Sequence, residues 1–462
     1  MPRCGVEQKT ERKTLDMKNI KIALWGIPAL LTVLWVSATL PFPETLNFLT
    51  IRNLAVQYSG VIATAVMSIG MILALRLDWL EGWLNGLDKS YRLHKWLGII
   101  ALVTSVLHWV ASELPKWMVS LGLLQPPERR APPGGMPEIG AIQSFFNSQR
   151  GTAEVLGEWA FYAAVVLIAL ALIKRFPYKS FVSTHKLISI AYLAVVAHSV
   201  PLLTFDDWLT PIGILSALLM IGGTWAAVLS LAGLIGRGSK VTGKIDNVRS
   251  FPDIRATAIN ITLNDGWKGH DAGQFAFVTF DQREGKHPFT IASAWDPETR
   301  EIMFITKALG DYTDFLPDTL KAGDDAIVEG PYGRFTFDDA RDRQIWIGGG
   351  IGVTPFIARM KQLAKTPGKK AVSLIHSTKE LSEEAMALLR ADAAAAGVDL
   401  HILLDDRDGF LTGDRLRDMI PDWKSASVWF CGPAGFGQAL RGDLVGHGLA
   451  PGDFHQELFN IR

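Results

Sequence analysis

Six long apolar runs fill the first half of this chain, and nothing else in the sequence restricts its fold as severely. A helix needs about 20 consecutive apolar residues to cross a hydrocarbon core. Runs of that kind lie at 21–40, 54–75, 93–112, 155–173, 187–203 and 208–235. The last is long enough to tilt or to extend beyond a bilayer. Charge divides the 462 residues at the same place: residues 20–236 hold 25 charged side chains in 217 positions, against 59 in the 226 positions of 237–462. One soluble globule would not segregate charge in this way, so the chain reads as a membrane block followed by a soluble block. A net charge of zero, from 46 basic and 46 acidic residues, argues against a nucleic-acid binder held by a positive field. With only Cys4 and Cys431, a disulfide framework and a four-cysteine zinc site are both ruled out.

Trp25, Trp109, Trp159 and Trp208 sit near ends of the runs, as interfacial belts require. The first run contains Pro28 and lacks a clear cleavage site, so it reads as a span and not a signal peptide, and Met17-Lys18 resembles a natural start. The positive-inside rule sets orientation. Arg3, Lys9, Arg12, Lys13, Lys18 and Lys21 precede the first run, and Lys174, Arg175 and Lys179 lie between the fourth and fifth. The opposing loop at 201–208 carries Asp206 and Asp207 and no Lys or Arg. The N-terminus and the soluble half are therefore expected on the cytoplasmic side, in a multi-pass protein of a bacterial inner membrane.

Four histidines precede residue 270, and all fall in or within two residues of the third and fifth runs. His94 and His108 are fourteen apart; His185 and His198 are thirteen apart. At about 1.5 Å per residue each pair is separated by roughly 20 Å along its helix, the spacing of two ligand sites stacked in one bilayer. A lone intramembrane histidine is often a neutral side chain bonded to a neighbouring carbonyl; four at matched depths point to metal ligation by neutral imidazole. Without adjacent Cys or carboxylate the set suits bis-histidine haem better than zinc. His94 with His185 would hold an inner b-type haem, and His108 with His198 an outer one. Fourteen steps leave two side chains about 40° apart around a helix, but thirteen leave about 140°, so the fifth span is expected either to distort locally or to present its ligands from different sides.

Beyond residue 236 the pattern changes. Segments such as VTGKIDNV, ATAINITL and GQFAFVTF alternate apolar and polar residues between turn signals, which predicts an antiparallel barrel over 241–337. From 344, QIWIGGGIGVTPFIARMKQLA reads as strand, glycine turn and helix, and AVSLIHS and SVWFCGP supply further strands. That succession predicts a doubly wound sheet with a dinucleotide at the glycine turn.

Taken together, the histidine spacing, HPFT at 287–290, GDYT at 310–313, GGGIGVTPF at 348–356 and FCGP at 430–433 resemble the ferredoxin–NADP reductase superfamily joined to a ferric-reductase-type membrane domain. That is the architecture of NADPH oxidases and ferric reductases, and the resemblance covers about residues 20–462. It implies four parts: an N-terminal cytoplasmic segment (1–19), a six-helix transmembrane haem-binding bundle (20–236), an antiparallel β-barrel FAD domain (237–340) and an α/β Rossmann-like NAD(P)H domain (341–462). It further implies that His287, Pro288, Phe289 and Thr290 lie along FAD, with Thr290 near the reactive ring nitrogen, and that Gly310 and Thr313 cap the flavin pyrophosphate. Gly348, Gly349, Gly350, Gly352, Thr354 and Pro355 match the nicotinamide-dinucleotide loop. Cys431, Gly432 and Pro433 match the segment that approaches the nicotinamide, and Phe459 the aromatic that covers the flavin. Lys379 and Arg407 are candidates for a 2′-phosphate, which favours NADPH with tolerance for NADH; for both, solvated surface is the alternative.

The function so implied is a transmembrane relay. Electrons from cytoplasmic NAD(P)H would pass through FAD and two haems to dioxygen, giving superoxide. Arg52, at the outer end of the second run, would pair with a haem propionate or attract superoxide, or else be a snorkelling interfacial side chain. A ferric-chelate reductase, and a membrane electron-donor subunit serving a partner protein, are the alternatives. No calcium-binding loop or regulatory insertion is visible, so constitutive activity is expected.

Overall fold

Every apolar run becomes a helix in the computed structural model, which describes residues 18–125, 140–173 and 175–457. The first half consists of α1 (Lys18–Thr39), α2 (Phe48–Leu73), a short α3 (Asp78–Leu84), α4 (Leu87–Ser120), α5 (Ala141–Leu172), α6 (Tyr178–Leu202) and α7 (Pro211–Leu231). Among the described residues, all of these except α3 are long and apolar enough to cross a membrane. Their outward faces are apolar: Trp25, Leu107 and Ile221 are 73%, 58% and 67% exposed, as side chains bathed in lipid would be.

The ends of these helices follow local chemistry more than hydropathy. Asn47 caps α2 by accepting from the Thr50 amide at 2.9 Å. Helix α7 begins with Thr210 as its cap and Pro211 in its first turn. It stops at Leu231, because Gly233 takes a left-handed φ of 69° and the amides of Gly233 and Leu234 return to the carbonyls of Ser230 and Leu229. The extension anticipated to residue 235 is therefore not helical. Inside the bundle, α2 is the most enclosed helix, buried over most of Val61–Leu73. Hydroxyl pairs link it to α6: Ser68 Oγ lies 2.8 Å from Tyr192 Oη, and Thr64 Oγ 3.0 Å from Ser199 Oγ. Such interhelical bonds contribute roughly 1 kcal/mol each.

From Gly236 the chain forms a separate compact unit with two sheets. Strands β1 (Lys240–Phe251), β2 (Ala256–Leu263), β3 (Phe275–Thr279), β4 (His287–Thr290), β5 (Glu301–Lys307) and β6 (Asp325–Tyr332) build the first, in the order β4-β3-β6-β1-β2-β5. All its pairings are antiparallel. Alternate residues of β1 and β2, among them Val241, Ile245, Ile259 and Ile261, enter one core with Phe304 and Val328. The expected barrel is not closed. β4 and β5 are the two edges, joined only by an isolated bridge from Ile291 to Phe304. The reason is local: β4 is four residues long, and Pro288 offers no amide to a second ladder. Helix α8 (Asp311–Thr319) lies between β5 and β6.

The second sheet is the predicted doubly wound one. β7 (Arg343–Gly349), β8 (Ala371–Thr378), β9 (Asp399–Leu404), β10 (Ser427–Cys431) and β11 (Phe454–Gln456) run parallel in the order β11-β10-β7-β8-β9. Side chains alternate along β7. Trp346 faces the layer of α9 (Thr354–Lys365) and α10 (Glu383–Ala396), with Phe356, Met360 and Leu389. Ile345 and Ile347 face α11 (Gly413–Met419) and α12 (Ala434–Gly446), with Leu416, Leu440 and Leu444.

Asp339 ties the strand starts together. Its carboxylate accepts from Lys370 Nζ at 2.8 Å, Ser427 Oγ at 2.7 Å, Trp429 Nε1 at 3.0 Å and Gln344 Nε2 at 2.6 Å. Burial alone would raise this carboxyl, but the donors outweigh it and hold it down at about 2.

Candidate functional site

Helices α4 and α6 bring the four intramembrane histidines into two pairs. The imidazole centres of His94 and His185 are 5.8 Å apart with ring planes at 66°, and those of His108 and His198 are 6.2 Å apart at 88°. Helix α6 runs without interruption between His185 and His198, so the 140° offset needs no break in it. Two metal–imidazole bonds of about 2 Å, with about 1 Å from each nitrogen to its ring centre, would place two ring centres roughly 6 Å apart on either side of one metal ion. Both pairs meet that spacing.

The outer nitrogens of the rings are equally informative. Nδ1–H of His94 donates to the Gly70 carbonyl at 3.0 Å, that of His108 to Val56 at 3.0 Å, and that of His198 to Ala153 at 2.8 Å. A carbonyl only accepts, so these Nδ1 atoms carry the protons and each Nε2 keeps a lone pair for a metal. His185 differs: its Nδ1 is buried with no hydrogen-bond partner among the described residues, and its ring stacks on Phe181 at 5.0 Å. Glycines make room for the rings. A Cβ on Gly60 would come within 3.1 Å of His108, and one on Gly157 within 2.0 Å of His198 Nδ1. Neither these glycines nor the carbonyl partners were identifiable from spacing alone.

Arg52 bonds backbone carbonyls of α4. Pro115 lies inside α4 and has no amide to give the Ala111 carbonyl four residues back. Arg52 supplies a donor there: Nε bonds Ala111 O at 3.1 Å, Nη2 also bonds Ser112 O at 3.0 Å, and Nη1 bonds Asn53 Oδ1 at 3.0 Å. The guanidinium thus serves the carbonyl that Pro115 leaves open in the helix that carries His108.

In the second unit, the carboxyl ends of β7 and β10 form a crevice at the point where strand order reverses, the usual ligand position in such sheets. Gly348 pairs across the ladder with Cys431. A Cβ on Gly349 would lie 2.9 Å from Pro433, and one on Gly352 2.2 Å from the Cys431 carbonyl, so only bare backbone lets the two turns approach. Gly350 takes a left-handed φ of 56°. Thr354 donates to Ile351 O at 2.7 Å and opens α9 with Pro355 in the first turn. Gly432 and Pro433 lead into α12. Cys431 is fully buried, and burial, then the Glu457 carboxylate, push its thiol well up. Glu457, which the sequence reading passed over, also approaches Gly333, whose Cβ would lie 3.2 Å from its Oε1. Its place two residues before Phe459 was the available signal. Phe459 lies outside the described residues.

Thr290 ends β4 opposite Phe275, which in turn faces Tyr332 on β6. Pro288 and Phe289 pair with Phe277 and Ala276. His287 stacks on Tyr312 of the GDYT segment at 4.0 Å, so these two motifs meet. Burial pushes the Tyr312 phenol up to about 12. Gly310 caps α8, and the Thr313 hydroxyl is used locally, accepting from the Leu309 amide and donating to Gly310 O, both at 3.1 Å. Lys379 is exposed just beyond β8, whereas Arg407 forms a bidentate pair with its neighbour Asp408, at 3.0 and 2.8 Å.

Residues 59–196 match the family model described as ferric reductase like transmembrane component, a stretch that contains His94, His108 and His185 and ends two residues before His198. Curated relatives include a flavohemoprotein of Oceanobacillus iheyensis, 26% identical over 162 residues, which are 33% of this chain and 40% of that protein. A glycine betaine monooxygenase reductase subunit of Pseudomonas aeruginosa is 26% identical over 163 residues, 32% of this chain and 44% of that protein. The chain thus spans about two fifths of the length of these relatives. Among solved structures, the flavohem-like FAD/NAD binding domain of nitric oxide dioxygenase from Vibrio cholerae O1 biovar El Tor aligns at 21% identity and a TM-score of 0.41, covering 47% of this chain and 98% of that one.

The chain is an integral membrane protein with six helices long and apolar enough to cross a membrane, and its residues 59–196 resemble a ferric reductase transmembrane component.

Proposed function

We propose that this chain carries electrons from NAD(P)H, through FAD and two b-type haems, across a bacterial inner membrane to dioxygen, giving superoxide. The observation that supports it most strongly is the pair of imidazole couples at 5.8 and 6.2 Å, three of whose rings have Nδ1 committed to backbone carbonyls. Overall, NAD(P)H and two O₂ would become NAD(P)⁺, two superoxide ions and one proton. When bound, FAD would accept hydride and release electrons singly, and the haems would carry them one at a time.

The protein's own part is to hold and to orient. His94 with His185, and His108 with His198, would offer Nε2 to the two irons. His287 to Thr290 would lie along the flavin, with the amides around Gly310 and Thr313 at its pyrophosphate. The turn from Gly348 to Pro355 would receive the dinucleotide pyrophosphate, and Cys431, Gly432 and Pro433 the nicotinamide. The basic residues flanking the first span, with Arg175, support a cytoplasmic position for the flavin half.

A second reading, reduction of a ferric chelate by the same relay, draws support from the family model over residues 59–196. Purified protein supplied with FAD and NAD(P)H separates the two. Cytochrome c reduction abolished by superoxide dismutase supports the oxidase. Fast Fe(III)-chelate reduction indifferent to dismutase overturns it in favour of the reductase.

A further inference from the structure

Arg407 stands at the end of the sheet where the adenosine half of a dinucleotide would lie, but its charge is already used. Strands β7, β8 and β9 are adjacent, with Gly349 opposite Ser377 and Ser377 opposite Leu403. At about 4.8 Å per strand, the carboxyl end of β9 lies roughly 10 Å across the sheet from the glycine turn, within reach of a ribose whose pyrophosphate rests on that turn. Arg407 follows β9 directly, and both its Nε and Nη2 bond Asp408. The second function of Asp408, accepting from the Leu404 amide at 2.9 Å, fixes that pair in place.

The neighbouring charges are mostly negative. Asp405, the first residue after β9, accepts from the Ser377 hydroxyl at 3.1 Å, and Ser377 is buried at the end of β8. Asp406 and Glu383 flank it in sequence and at the start of α10. Glu380 is drawn away by Lys307 at 2.5 Å. Against these stands Lys379, an exposed point charge without the fork that grips a phosphate. Arg390 is two turns along α10 from Glu383, about 10 Å down the helix.

We propose that Asp405, oriented by Ser377, makes this chain select NADH over NADPH, by accepting from the adenosine ribose hydroxyls and repelling a 2′-phosphate. This rests on the reading of the glycine crevice as a nicotinamide-dinucleotide site. A carboxylate that accepts from the ribose 2′-hydroxyl favours NAD, whereas a free arginine accommodates the 2′-phosphate of NADP. Here the carboxylate is held ready and the arginine's fork is engaged by Asp408, which reverses the preference that Lys379 and Arg407 suggest when read as sequence alone.

The test uses the full chain in detergent, loaded with FAD. Anaerobic flavin reduction is measured with NADH and NADPH, and binding of 5′-AMP and of adenosine 2′,5′-bisphosphate is measured separately by calorimetry. The wild type should show at least a tenfold higher kcat/KM for NADH and bind 5′-AMP at least tenfold more tightly. Asp405→Asn keeps an acceptor for Ser377 while removing the charge. It should cut both ratios tenfold or more, chiefly through a lower KM for NADPH, with an unchanged melting temperature. Equal or better use of NADPH by the wild type overturns the selectivity and leaves the dinucleotide site standing. A wild-type preference for NADH that survives in Asp405→Asn overturns the role of Asp405. Reduction by neither nucleotide overturns the dinucleotide reading, and the inference with it.

Discussion

Replacing Gly157 by alanine should cost this protein one haem and spare the other. Gly157 lies on α5, where a Cβ would stand 2.0 Å from His198 Nδ1 and 2.4 Å from its Cε1. Non-bonded heavy atoms settle at about 3.5–4 Å, so one side must yield. The new carbon is fixed to the α5 backbone, and the Ala153 carbonyl one turn earlier is the acceptor that holds the ring at 2.8 Å. The imidazole therefore has to swing away and lose that bond. Overpacking costs about 1–3 kcal/mol and the lost hydrogen bond about 1 kcal/mol, together about 2–4 kcal/mol. That corresponds to a loss of affinity at the His108–His198 level of roughly thirty- to several-hundred-fold. The His94–His185 level has no contact with Gly157 and should be untouched. Pyridine haemochrome analysis of purified protein gives the readout, with Gly26→Ala as control because nothing lies within 4 Å of a Cβ there. Wild type and control should carry two haems per chain, and Gly157→Ala one. Two haems with an unaltered spectrum in Gly157→Ala would refute the assignment of His198 as a ligand.

Other predictions rest on independent contacts. Arg52→Gln leaves the Ala111 and Ser112 carbonyls short of donors, which should destabilise the bundle by about 2–4 kcal/mol. Haem loss on heating should come earlier, while superoxide formed per remaining outer haem stays unchanged; a selective fall in that turnover would instead indicate a role in the reaction. Asp339→Asn should lower stability by about 2 kcal/mol or more, read from thermal unfolding of the full chain, because it removes a charge that several donors surround. The same carboxyl gives a pH signature. Its folded pKa is about 2, below the ordinary 3.8, so its contribution is complete above the unfolded value and fades as pH falls from about 4 to 2. The Asp339→Asn variant should lose that part of the acid dependence. Cys431, buried and with its thiol pushed up, should resist iodoacetamide at pH 7 until the chain is denatured; rapid alkylation of the native protein, located by peptide mapping, would contradict its burial.

Much of this architecture is written in local sequence. Hydropathy located the six spans, and matched spacing located the histidine pairs, because both depend on periodicities that one chain carries by itself. Likewise the glycine turn after Ile347 needs no partner to be recognised. What escaped depends on groups brought together from afar. The carbonyls of Gly70, Val56 and Ala153 that fix the imidazole tautomers carry no residue-type signal. The bonds from Arg52 to the Ala111 and Ser112 carbonyls could not be read, because those acceptors lie on another helix, about 60 positions later. The barrel failed to close at Pro288, where alternation continues but the hydrogen-bond donor does not. The pair between Arg407 and Asp408 was not legible, because a sequence shows that the two are adjacent and not that the carboxylate folds back onto the guanidinium.

The account stands or falls on whether reducing equivalents given on the nucleotide side arrive at iron held by imidazoles. The direct measurement is the anaerobic absorption spectrum of purified, FAD-loaded full-length protein before and after NADH addition. A b-type band corresponding to two haems per chain, fully reduced by the nucleotide and lost by half in His108→Ala, is the predicted result. Protein that purifies with intact flavin but no haem band, or whose haems stay oxidised while the flavin bleaches, would contradict it.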